Sequence, residues 1–172
     1  MTPPEIVIPE HAGFCAGVRA SIAKLEDALR TGPFPVCVHG EIVHNPAVVE
    51  RYRRLGARVI DSAADAGSCA TVVIRAHGVP ALEFEILDSL NVNIVDARCA
   101  NVVNVEKHIS RALAGGKAVF IAGYPSHPET IALASAAPGD IHVLDSDTAV
   151  PGIPAGIRDA VLVSQTTFPP AV

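Results

Sequence analysis

The stretch that decides the fold is TVVIRAHGVPALEFEILDSLNVNIVDARC, residues 71–99. Two short apolar runs, residues 71–74 and 93–96, have the length of strands, and residues 80–90 between them have the length of a helix. A strand, a helix and a second strand in about 30 residues are typical of a βαβ unit, in which the two strands are parallel. The stretch therefore predicts an α/β fold.

The same alternation extends in both directions along the chain. Further strands are predicted at residues 5–9, 36–39, 58–60, 118–122, 141–144 and 160–163, and further helices at 18–30, 46–55, 101–113 and 128–136. Residues 151–156 form a connector rich in proline and glycine. Because the alternation slows near Asp96, we expect two similar lobes, residues 1–96 and 97–172, each with a parallel sheet flanked by helices.

Composition excludes several classes of protein. Of the 172 residues, 49% are apolar and 18% are charged, which suits a globular chain and not a disordered one. A net charge of −5 with scattered basic residues argues against nucleic-acid binding. The first ten residues do not resemble a signal peptide, and no apolar run spans a membrane, so we expect a cytoplasmic protein. Its four cysteines are then expected to be thiols or metal ligands, and not disulfides.

Reactive side chains follow the predicted strands where each strand ends. They are Cys15, His44, His77, Cys99, His127 and the run Gln165-Thr166-Thr167. In open parallel sheets this edge is where ligands bind, and helix N-termini there favour anions. The placement predicts a site that holds a metal centre and an anionic ligand.

Each of these residues also has a plain structural interpretation. A lone cysteine is usually a small buried hydrophobe, and we expect this of Cys37 and Cys69. Cys15 differs, because Gly13 and Gly17 flank it in a loop before a helix and let a bulky group approach. An acid such as Glu129 is favoured in the first turn of any helix. The remaining histidines, His39, His108 and His142, are expected on the surface or in a satisfied core.

Six short motifs, taken together, carry a resemblance to a known family. They are GFCAGV (13–18), EIVHN (41–45), AHGV (76–79), DARC (96–99), HPE (127–129) and QTT (165–167). In this order they resemble the LytB-type 4-hydroxy-3-methylbut-2-enyl diphosphate reductases over essentially the whole chain. The resemblance implies an iron–sulfur enzyme that reduces an allylic alcohol diphosphate to isopentenyl and dimethylallyl diphosphate in non-mevalonate isoprenoid biosynthesis.

The resemblance also implies roles for individual residues. Cys15 and Cys99 are two of three ligands of a [4Fe–4S] cluster. The implied substrate contacts are His44, His77 and His127; Glu129 is implied on the proton path and Thr166 near the substrate alcohol. The third cysteine belongs to a third lobe expected beyond residue 172, so we expect this chain to be a fragment. An electron donor such as ferredoxin or flavodoxin is the implied partner, with no nucleic acid and no membrane.

Several positions depart from the family pattern near the implied site. Arg98-Cys99-Ala100 stands where the family has Thr-Cys-Pro, and lysine and histidine are replaced near Asn104 and Glu106. Residues 130–133 read Thr-Ile-Ala-Leu where the family favours Glu-Gly-Thr. One alternative is therefore a catalytically inactive paralogue that binds a diphosphate or a protein partner. Another, independent of the resemblance, is a zinc hydrolase that uses Cys15, Cys99 and one histidine.

Overall fold

The computed structural model describes residues 5–7, 12–145 and 156–169. Its strands are β1 (Val36–His39), β2 (Arg58–Ile60), β3 (Thr71–Ile74), β4 (Asn93–Asp96), β5 (Ala118–Ala122), β6 (Ile141–Leu144) and β7 (Ala160–Ser164). Its helices are α1 (Ala16–Thr31), α2 (Pro46–Arg54), α3 (Ala81–Ser89), α4 (Ala100–Ala114) and α5 (Pro128–Ala134). A short 3-10 helix, Ala63–Ser68, precedes β3.

The strands form two parallel sheets. The first sheet has the order β2-β1-β3-β4 and the second has the order β6-β5-β7, with every described pairing parallel. Helices flank both sheets, so the predicted α/β class is confirmed. Asp96 is the last residue of the first sheet, and the strands of the second sheet follow it in the sequence. The division into two lobes at that residue stays a prediction.

The central strands are apolar because helices cover both faces of the first sheet. Every residue of β1 and β3 is buried. One face packs around Leu25 of α1 and Val73, and the other around Leu87 of α3 and Val72. Full burial of one such side chain stabilises the fold by about 1.5–3 kcal/mol. This core holds the strand ends rigidly, and the candidate site is built on them.

The first predicted strand, at 5–9, is not formed in its described residues. Residues 5–7 form no strand, and Ile6 and Val7 are 85% and 76% exposed. Apolar residues alone are not sufficient, because a strand needs a neighbour to accept its backbone hydrogen bonds. The rest of the predicted strand and nearly all of the connector at 151–156 lie outside the described residues. Cys15 therefore does not follow a described strand.

The expectation that the cysteines form no disulfide was also wrong. Cys37 and Cys69 are buried as expected, but they are bonded to each other and not free thiols. Cys37 lies in β1 and Cys69 just before the neighbouring strand β3, and their Cα atoms are 5.9 Å apart. Only the order of the strands brings these two residues together, because 32 positions separate them in the sequence.

No helix in the described part of the chain has both the length and the apolar character needed to cross a bilayer.

Candidate functional site

Helix beginnings bring the candidate ligands together. Cys15 is the residue before α1, Cys99 the residue before α4 and His127 the residue before α5. The side chains of the two cysteines do not cap their own helices. Their sulfurs are therefore available to other partners, at the ends of α1 and α4 whose dipoles favour negative charge.

The two free thiols, Cys15 and Cys99, meet at Gly17. A Cβ atom built on Gly17 would lie 2.5 Å from the Cys99 sulfur and 4.0 Å from the Cys15 sulfur. Both sulfurs thus lie within 4.0 Å of the same point in space, so they are close neighbours. The two halves of the chain thus bring one thiol each to a common space, which the missing side chain of Gly17 leaves open.

A backbone hydrogen bond joins this pair of thiols to the neighbouring histidines. The Cys99 N–H donates to the Ala76 carbonyl at 2.9 Å, and the next residue after Ala76 is His77. The Ala76–Gly78 turn is therefore tied directly to the residue that carries one of the thiols.

Three histidines from three separate loops form a cluster, which we call the histidine triad: His44, His77 and His127. The rings of His44 and His77 are stacked with centroids 4.6 Å apart, and the ring of His127 lies edge-on to both, at 5.8 and 5.3 Å. One nitrogen from each ring lies within 4.8 Å of the others. The sequence had predicted each histidine separately; the fold brings them to one place.

Two members of the triad, His77 and His127, are favoured in their uncharged form. Burial, then the neighbouring His44 and His127 and the charge of Arg75, lower the pKa of His77 to about 4. Burial, His44 and Arg75 likewise lower the pKa of His127. Neutral imidazoles bind either a metal ion through a lone pair or an anion through an N–H.

A hydrogen bond to His127 favours anion binding by that ring. The Glu129 N–H donates to Nδ1 of His127 at 3.1 Å, so that nitrogen carries no proton. In the neutral ring the proton is then on Nε2, which becomes a hydrogen-bond donor. An Nε2–H donor suits an oxygen-rich anion, whereas a metal ion needs a nitrogen without a proton. The two cysteines do not belong to the close group of three histidines, which also argues against the zinc site of cysteine and histidine.

Glu129 and Thr166 lie beside the triad and contact each other. Both oxygens of Glu129 accept hydrogen bonds from Thr166, one from its N–H and one, at 2.8 Å, from its hydroxyl. Glu129 is fully buried. Burial raises the pKa of Glu129, although the bonds from Thr166 act in the opposite direction. A buried carboxyl with a raised pKa is suited to holding and releasing a proton.

Gln165 fixes the loop that carries Thr166. Its side chain is buried, and its carbonyl oxygen accepts from the Thr130 hydroxyl at 3.1 Å and from the Tyr124 N–H at 3.2 Å. Its amide nitrogen donates to the Thr167 hydroxyl at 2.6 Å. Thr130, one of the departures from the family pattern, therefore has a partner within the same motif that positions Thr166.

Two further departures contact each other. Arg98 forms two hydrogen bonds with Asp96, at 2.7 and 2.9 Å, and a third with Glu106 at 2.5 Å. Its guanidinium also lies 4.9 Å from the centre of the Phe84 ring. Arg98 and Glu106 thus form one internal ion pair, with side chains 19% and 16% exposed, behind Cys99.

Sequence reasoning missed Arg75 as part of this site. It directly follows β3, and its charge is one of the causes that lower the pKa of both His77 and His127. The signal was present in the sequence, since Arg75 immediately precedes the AHGV motif at the end of a predicted strand. A single arginine near a strand end is nevertheless expected on the surface.

Comparison with known proteins gives a consistent result. The family model described as LytB protein matches residues 6–171. The chain is 31% identical over 163 residues to a 4-hydroxy-3-methylbut-2-enyl diphosphate reductase of Geobacter sp. (strain M21), and 35% identical over 164 residues to one of Geobacter sulfurreducens. Each alignment covers 95% of this chain and 57% of the relative.

Solved structures agree with the sequence comparison. The diphosphate reductase from Plasmodium falciparum superposes with a TM-score of 0.83 at 26% identity, covering 92% of this chain and 50% of that one. A structure of (E)-4-hydroxy-3-methyl-but-2-enyl diphosphate reductase, described as the terminal enzyme of the non-mevalonate pathway, gives 0.82 at 30% identity, covering 94% and 58%. The chain spans between half and three-fifths of the length of these relatives.

Proposed function

The chain belongs to the LytB family, and on that premise we propose that it supplies part of the active site of an iron–sulfur reductase that removes the hydroxyl group of 4-hydroxy-3-methylbut-2-enyl diphosphate. The observation that carries the proposal is the meeting of two free thiols over Gly17, next to the histidine triad. Thiolates are the usual ligands of iron–sulfur clusters, and neutral histidine N–H groups bind phosphate oxygens.

The donor set fits two ligands of a [4Fe–4S] cluster. Cys15 and Cys99 would hold it; Cys37 and Cys69 are bonded to each other and do not contribute. When bound, such a cluster supplies two electrons in successive steps and an open iron that polarises the substrate hydroxyl. A third thiolate would have to come from outside this sequence, in agreement with the fraction of the relatives that the chain spans.

The remaining residues bind the substrate and move a proton. The histidine triad binds the diphosphate through N–H donors, of which the Nε2 of His127 is fixed by the hydrogen bond at its other nitrogen. Glu129, protonated more readily than an ordinary glutamic acid, holds the proton that leaves with the hydroxyl as water, and Thr166 orients the carboxyl through its two hydrogen bonds. We assign the electrons to a ferredoxin or flavodoxin and the protein to the cytoplasm.

The test is anaerobic reconstitution of this chain with iron and sulfide, with and without a small exogenous thiol that replaces the third ligand. We expect visible cluster absorption that is weak without the thiol and stronger with it. Cys15→Ser and Cys99→Ser should each abolish it. The matched control is the double variant Cys37→Ala/Cys69→Ala, which should assemble the cluster normally. Equal assembly by Cys15→Ser and the parent would remove the assignment.

The inactive-paralogue alternative differs from the reductase in one measurable respect. A paralogue that only binds a diphosphate keeps the anion site and needs no cluster. Binding of inorganic diphosphate by a chain that assembles no cluster under any of these conditions would favour the paralogue over the reductase.

A further inference from the structure

Arg75 occupies a space that the chain keeps open for it. Gly40, which follows β1, has a φ angle of +70°, and a Cβ atom built on it would lie 2.2 Å from a terminal nitrogen of Arg75. Any larger residue at position 40 would displace the guanidinium. The Arg75 Nε donates to the Gly78 carbonyl at 3.1 Å, so the side chain folds back over its own turn, next to His77.

The charge of Arg75 has no partner in the described structure. Burial lowers the pKa of Arg75, and although Glu41 and Asp61 attract the guanidinium, no described carboxylate lies within 4.0 Å of it. Arg98 shows the usual solution, because two carboxylates neutralise it. A partly buried arginine without a close carboxylate is costly to the fold unless another anion pairs with it.

The position of Arg75 gives the class of that ligand. Its charge acts on His77 and His127, which are neutral donors at the same strand edge. Arginine binds phosphate oxygens through two parallel N–H donors, and its Nε is already in use at Gly78. The two terminal nitrogens are the ones left for a phosphate group.

We propose that Arg75 is a binding residue for the diphosphate group of the substrate and supplies a permanent positive charge beside the histidine triad. The inference rests on the proposed function, since it takes the triad as the diphosphate site. The alternative is that Arg75 only braces the turn through its bond to Gly78. The groups that face Arg75 and enter any pH dependence are Glu41, His44, Asp61, His77 and His127.

The experiment is calorimetric titration of the chain with inorganic diphosphate at neutral pH. We expect Arg75→Met to bind about 10- to 100-fold more weakly than the parent, which is the effect of losing one hydrogen-bonded charge. Arg75→Lys keeps the charge and should recover part of the loss. The matched control is Arg54→Met, which removes an exposed arginine paired with Glu50 and should bind like the parent.

The pH profile tests whether Arg75 and the histidines act on the same bound anion. Because the charge of Arg75 holds the pKa of His77 and His127 down, its removal should let these histidines gain a proton at higher pH. The increase in diphosphate affinity on acidification should therefore begin at higher pH in Arg75→Met than in the parent. An unshifted profile would mean that the charge of Arg75 does not act on these histidines where diphosphate binds, and that result would overturn the inference.

A measurement on the parent protein covers the case in which Arg75→Met does not fold. An arginine-selective dicarbonyl reagent, with the modified residues located by peptide mapping, should modify Arg75 more slowly when diphosphate is present, while Arg54 reacts at an unchanged rate. No protection of Arg75, or equal affinity of Arg75→Met and the parent, overturns the inference and leaves the anion site intact. A parent chain that binds no diphosphate overturns the anion site of the proposed function as well.

Discussion

Gly17→Ala is the sharpest perturbation of the pair of thiols. The added Cβ atom would lie 2.5 Å from the Cys99 sulfur and 3.6 Å from the Cys99 Cβ, so the Cys99 side chain must rotate away. The backbone of α1 needs no change, because Gly17 has ordinary helical geometry. Alanine in place of glycine favours a helix by about 0.8–1.0 kcal/mol, and this offsets part of the roughly 1–3 kcal/mol typical of overpacking.

This variant should therefore bind metal more weakly while its stability changes little. We expect the free energy of unfolding of the metal-free chain to change by no more than about 2 kcal/mol in either direction. Binding of a thiophilic ion such as Cd²⁺ needs both sulfurs in one place and should weaken by about tenfold or more, which corresponds to about 1.4 kcal/mol. This comparison requires no third cysteine and uses the chain as it is.

The assay is anaerobic titration with Cd²⁺, followed through the ultraviolet charge-transfer band of thiolate-bound metal, together with urea unfolding of the same samples. Gly67→Ala is the matched control, since a Cβ atom there meets nothing within 4 Å. It should leave Cd²⁺ affinity unchanged. If Gly17→Ala bound Cd²⁺ as tightly as the parent, the two sulfurs would not share the space above Gly17.

Three other results are expected. Unreduced, denatured chain should show two reactive thiols, and replacing Cys37 and Cys69 by alanine should lower the free energy of unfolding by about 2–4 kcal/mol in a denaturant titration. Burial alone would raise the pKa of Glu83, but its bonds to a histidine and a backbone N–H hold that pKa below its ordinary value of 4.5. The resulting stabilisation of the fold is present above pH 4.5 and is lost as the pH falls below it. Glu83→Gln should therefore lower the free energy of unfolding at neutral pH, and lower it less in acid, as measured by urea unfolding. In a longer chain with the third ligand, Glu129→Gln should lower turnover by about 10²–10⁴-fold with unchanged diphosphate affinity, measured by single-turnover kinetics; near-parent turnover would exclude proton delivery.

Local patterns predicted most elements because each is encoded within its own segment. Residues 71–74 and 93–96 were assigned from apolar runs alone, and the structure has β3 and β4 at those positions. A helix was predicted at 46–55, and the structure has α2 at Pro46–Arg54, where the Asn45 side chain caps the helix by accepting hydrogen bonds from the Ala47 and Val48 N–H groups. The strand expected at 5–9 failed at residues 5–7 because strand formation depends on a partner strand, which no local pattern supplies.

The sequence predicts that two residues lie close together only where the fold class itself places them side by side. Cys99 and His77 follow neighbouring parallel strands, so their proximity follows from the fold class. The bond between Cys37 and Cys69 does not, because it depends on β1 lying beside β3. The position of the Arg75 side chain depends on Gly40, which lies 35 positions earlier in the loop after β1. Only the folded chain places this glycine against the guanidinium.

The departures from the family pattern look different once their contacts are known. An unpaired arginine next to Cys99 would add positive charge at the proposed cluster site. The guanidinium of Arg98 instead donates to Asp96 and Glu106 and lies over the ring of Phe84, so its donors are already paired within the chain. Burial raises the pKa of Glu106 while Arg98 opposes the rise, as expected of a carboxylate whose main function is to pair with that arginine. Two of the departures thus pair with each other, and the charge of Arg98 is neutralised by neighbouring carboxylates of the same chain.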